Sequence, residues 1–79
     1  MAKLNGGDME EAIELMVSAK EECETIALYL GRMEKAQDER TKEDYRTAIK
    51  EEMKHALMFL ERATELTGID PEDYEVEHD

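Results

Sequence analysis

The chain has little that could fix a small protein covalently. It holds one cysteine in 79 residues, so no disulfide can close within it. A unit this short seldom buries a core sufficient on its own, which leaves metal binding or assembly to supply the rest. Tryptophan is absent, and phenylalanine and tyrosine contribute one and three residues. Proline occurs once, at Pro71, and glycine four times, so long stretches run without a helix breaker. Basic residues are scarce: 10 Lys and Arg stand against 22 Asp and Glu, a net charge of −12. Such a surface repels nucleic acid and anionic membrane and draws cations. No apolar run approaches the ~20 residues of a membrane helix. The first seven residues lack a signal-peptide core, so a cytoplasmic protein is expected. What abounds is Met, Leu, Ala, Glu and Lys, a helix composition without strand-like alternation.

Residues 1–7 read as a flexible leader ending in Gly6-Gly7. Asp8, with Glu11 three residues on, reads as the N-cap of a first helix over 8–37. Gly31 lies inside its pattern and is tolerated at about 1 kcal/mol. Ala12, Met16, Ala19, Cys23, Ile26, Leu30 and Met33 recur at spacings of four and three, a seam for near-antiparallel packing. On the seam, Cys23 reads as a structural thiol. A second line, Met9, Ile13, Val17, Ala27 and Leu28, widens the apolar face and implies at least two neighbours. Gln37 to Arg40 forms a polar connection, with Thr41 as the next N-cap. The second helix, 41–67, carries the seam Tyr45, Ile49, Glu52, Ala56, Phe59, Ala63 and Leu66. Gly68 and Pro71 end it, and 68–79 form an acidic tail. The short connection folds the helices into an antiparallel hairpin, an all-α fold.

Glu52 occupies the middle of the second seam, and a buried carboxylate there is costly unless neutralised. His55 stands three residues on, so both side chains share one helix face and can grip one cation. A lysine or arginine across the interface is the alternative neutraliser. A turn near residues 39 and 40 puts Glu52 level with residue 27 and His55 with residue 24. Glu22 and Glu24 lie close to that height, and Glu22, which borders the seam, is the preferred third ligand. Two carboxylates and one imidazole are too few for a pair of iron ions. Two hairpins related by a twofold axis supply four Glu and two His, the donor set of a di-iron four-helix bundle. These donors suit Fe(II), Mn(II) and Zn(II) alike.

The segment from Glu21 to Tyr29 resembles the ferritin-like pattern of a glutamate seven residues before a tyrosine. Glu51-Glu52-Met53-Lys54-His55-Ala56 is similar to the Glu-Glu-x-x-His-Ala of rubrerythrins and bacterioferritins. Two helices rather than four, with 30 residues between Glu22 and Glu52, make residues 8–67 resemble the encapsulated ferritins. The resemblance implies a ferroxidase that binds two iron ions per dimer through Glu22, Glu52 and His55. Tyr29 would stand close to the metals, and Glu21 and Glu24 would form a secondary metal site on the approach path. It also implies a homo-oligomer, a ring-shaped decamer built as a pentamer of dimers with ferritin-like four-helix bundles. Its partner would be an encapsulin shell protein, within whose nanocompartment the oxidised iron is stored. Leu28 stands where the family carries tryptophan, and Tyr74 to Asp79 do not resemble its shell-docking peptide. Either that segment is missing from this chain, the domain is joined to a shell protein, or encapsulation does not apply. The contrasting reading is a non-catalytic helical assembly clipped by metal.

Overall fold

The computed structural model describes residues 6–69, and the expectations for residues 1–5 and 70–79 lie outside them. Helix α1 runs Gly6–Lys35 and helix α2 runs Glu39–Thr67, with no strand among the described residues. The two form the expected antiparallel hairpin, but the junction differs from the sequence reading. Asp38, not Thr41, caps α2: its extended backbone (φ −119°, ψ 159°) turns the chain, and its Oδ1 accepts from the Thr41 N–H at 2.8 Å. The Thr41 hydroxyl donates to Oδ2 at 3.1 Å. Both residues are good caps, but only the carboxylate also meets the positive end of the helix dipole. At the far end Gly68 adopts the left-handed conformation (φ 71°), and its N–H donates to the Thr64 carbonyl. The glycine stop read from the sequence is therefore met.

The earlier turn slides the helices past one another. Glu52 faces Glu22, not residue 27, and Tyr45 faces Tyr29. The seam on α2 is the expected one: Ile49, Ala56 and Ala63 are buried, with Tyr45, Glu52, Phe59 and Leu66 partly covered. On α1 the expected seam is half right. Ala12 and Ala19 are buried and Ile26 and Met33 partly covered, yet Met16, Cys23 and Leu30 are exposed. Leu15, Glu22 and Tyr29 take their places, each one residue earlier. Cys23 is therefore a free, exposed thiol and not a buried one.

The enclosed apolar core within the hairpin is four alanines and Ile49. A buried methyl contributes about 0.8 kcal/mol, less than the ~1–2 kcal/mol that ordering one backbone residue costs. The larger side chains are turned out instead: Met9, Ile13, Met16, Leu57 and Leu60 are 45–67% exposed.

These exposed groups lie on one flank. Ala56 points at α1, so the residues before and after it, His55 and Leu57, are rotated about 100° to opposite sides. Seven residues before His55 is Ala48, which lines a cavity with Tyr29, Arg32 and Asp44. Seven residues after Leu57 is Thr64, which lines a groove with Met16, Leu60 and Ile69. The hairpin thus has a histidine flank and an apolar flank.

Candidate metal centre

Two turns of α1 before Tyr29 and two turns of α2 after Tyr45, the seam brings three donors together. One ligand atom each from Glu22, Glu52 and His55 fall within 4.8 Å of one another. His55 Nδ1 lies 3.1 Å from Glu52 Oε1, one turn away on the same helix. Glu22 Oε1 approaches the same Nδ1 to 3.6 Å, an ion-pair distance beyond hydrogen-bond length. The carboxylates keep about a quarter of their exposure (24% and 22%) while His55 is half exposed at 49%. The cluster is therefore sunk in the seam and opens along the imidazole.

The electrostatics of this cluster are unresolved by protein alone. The Glu22 carboxyl is raised from its ordinary value, first by a hydrogen bond shared with Glu52, then by burial and by the charge of Glu52. His55 pulls the other way but does not prevail. Glu22 Oε1 is also enclosed with no hydrogen-bond partner. Buried carboxylate oxygens are rarely left so, since an unsatisfied acceptor loses its hydration without return. An enclosed oxygen without a hydrogen bond, a second carboxylate and an imidazole form an O, O, N donor set suited to a divalent transition metal. Lysine or arginine, the alternative neutraliser, makes no ion pair with Glu22 or Glu52 among the described residues.

The other expected site residues are placed elsewhere. Glu21 and Glu24 are exposed, and neither joins the cluster. Glu24 lies 3.9 Å from Lys20 along the helix. Tyr29 sits on the seam against Tyr45, ring centroids 5.8 Å apart and planes tilted by 54°. The sequence reading gave Tyr45 to the seam without seeing that pairing. A tyrosine seven residues from each facing carboxylate was the available signal, and the mistaken register concealed it.

The family model described as EncFtn-like matches residues 3–65 of the chain. No curated protein and no solved structure matches it.

Proposed function

Since the chain belongs to the EncFtn-like family, we propose that it is a ferroxidase whose di-iron site is completed by a second copy of the hairpin. The observation that carries this reading is the enclosed Oε1 of Glu22, without a hydrogen bond, beside Glu52 and His55. One hairpin offers three ligands, enough to hold a single ion. Two hairpins meeting through their histidine flanks bring four carboxylates and two imidazoles, a set for two ions at the centre of a four-helix bundle. Fe(II) is the substrate and dioxygen takes its electrons. The carboxylates offset the cationic charge and favour the ferric product, while His55 supplies the nitrogen donor. Glu21 and Glu24 would gather Fe(II) at the surface before it reaches the site.

The apolar flank is left free by that pairing, so a second contact between copies follows, consistent with the ring decamer of the family resemblance. An encapsulin shell would store the product.

Oxygen uptake tests the reading. Fe(II) is added to metal-free protein at several iron-to-chain ratios. A fast phase saturating near one iron per chain is expected. Uptake no greater than the protein-free control overturns the ferroxidase reading and leaves a structural metal clip.

A further inference from the structure

We infer that residues 70–79 fold back along the apolar flank of their own hairpin and cover it until a second copy takes their place. Gly68 turns the chain out of α2 in its left-handed conformation, and the Ile69 N–H donates to the Thr67 hydroxyl oxygen at 3.2 Å. Ile69 is thereby set on the rim of the apolar groove, about 270 Å³, which it lines with Met16, Leu60 and Ala63. The ten residues that follow start at the groove itself. Pro71 keeps them from resuming the helix.

Reach, pattern and charge agree on the path. An extended chain advances ~3.3 Å per residue and a helix ~1.5 Å, so five residues beyond Ile69 span about eleven residues of α2. Tyr74 then comes level with Leu57, and Val76 with Met53, both exposed on this flank. Tyr74 and Val76 are two apart, so in an extended chain both meet the flank while Asp73, Glu75 and Glu77 face water. Six of the ten residues are acidic. The last of them come level with Lys50, which stands seven residues before Leu57 on the same line of α2. Lys50 is exposed and has no ion pair among the described residues. The tether makes the contact unimolecular, with the millimolar effective concentration that short linkers give. A dilute chain therefore covers itself, and a second copy displaces the segment as chain concentration rises.

Cys23 reports on this cover. It follows Glu22 as Met16 follows Leu15, so it stands on the apolar flank close to the level of Met53, and its thiol is free. Alkylation of Cys23 by a maleimide is followed in metal-free full-length protein and in a Tyr74→Ser, Val76→Ser variant, each over a range of dilutions. The variant keeps every charge and every helical residue, so the fold and the electrostatic setting of the thiol are retained. At the lowest concentrations the variant should react about tenfold faster, the protection lost with a half-buried tyrosine and valine. The wild-type rate should not change on further dilution. In native mass spectra the variant should assemble at lower chain concentration than the wild type. Equal alkylation rates in the two proteins at every dilution overturn the inference. So does wild-type protection that vanishes on dilution, which assigns the cover to a second copy. Neither readout involves iron, so either failure leaves the ferroxidase reading intact.

Discussion

Glu22 is the residue at which folding and function conflict. Its folded-state pKa is raised, with the Glu52 hydrogen bond as the main cause, so the protonated form suits the metal-free fold better. The sign follows from linkage: this group's contribution is fully present below the ordinary glutamate pKa and is lost as pH rises through the folded value. Glu22→Gln removes the titration. The melting temperature of the metal-free variant should match wild type in acid and exceed it increasingly toward neutral pH. Thermal melts across that range read the difference directly, and a constant offset would contradict it. The same substitution should weaken Fe(II) binding, since a neutral amide replaces an anionic ligand. His55→Ala should leave the helical circular dichroism signal in place while iron oxidation slows by at least roughly 100-fold, the upper end of what changes behind metal ligands cost. Full activity in that variant would remove the site assignment.

At the scale of the element, the Asp38 cap decides where the hairpin turns and hence which residues face each other. Its carboxyl is lowered from the ordinary value, chiefly by the Thr41 backbone N–H. Asp38→Ala should lower the melting temperature by about 5 °C, and Asp38→Asn by less, because the amide oxygen still accepts. The capping contribution is present above the ordinary aspartate pKa and fades as pH falls through the lowered one. Choosing Thr41 over Asp38 from sequence moved the turn by only a few residues, yet it misaligned the partners across the hairpin. The α2 seam was read correctly although a second four-three line, through Met53, Leu60 and Thr67, shares Ile49, Ala56 and Ala63 with it. On α1 two such lines share Ala12, Ala19, Ile26 and Met33. Hydrophobicity selects the line through Met16, Cys23 and Leu30, and the fold uses the one through Leu15, Glu22 and Tyr29. A pattern of apolar residues records everything a helix touches in its assembly, and it does not label which contact lies within the chain. The Glu-x-x-His pair, by contrast, is local to one helix, so no register error could separate it.

For the whole molecule, a core of four alanines and one isoleucine places most of the available apolar burial outside the hairpin. Leu57, 67% exposed, is the best probe. A carboxylate buried there without a partner would cost about 3 kcal/mol or more, so Leu57→Glu should weaken the apolar-flank contact by roughly a hundredfold. Native mass spectra should then shift to smaller species that still bind Fe(II) through the histidine flank. A wild-type mass distribution would argue that this flank stays in solvent.

The opposite outlook of His55 and Leu57 also bears on symmetry. If each flank meets its own like in a neighbouring copy, every chain has two different twofold contacts, and these must alternate around any closed assembly. Alternation closes only with an even number of chains, giving dihedral symmetry, and the angle between the two axes alone sets how many pairs complete the circle. Native mass spectra should therefore contain closed species of even count only. The chemistry at Glu22 could then be left untouched while substitutions that tilt one helix against the other change the size of the ring.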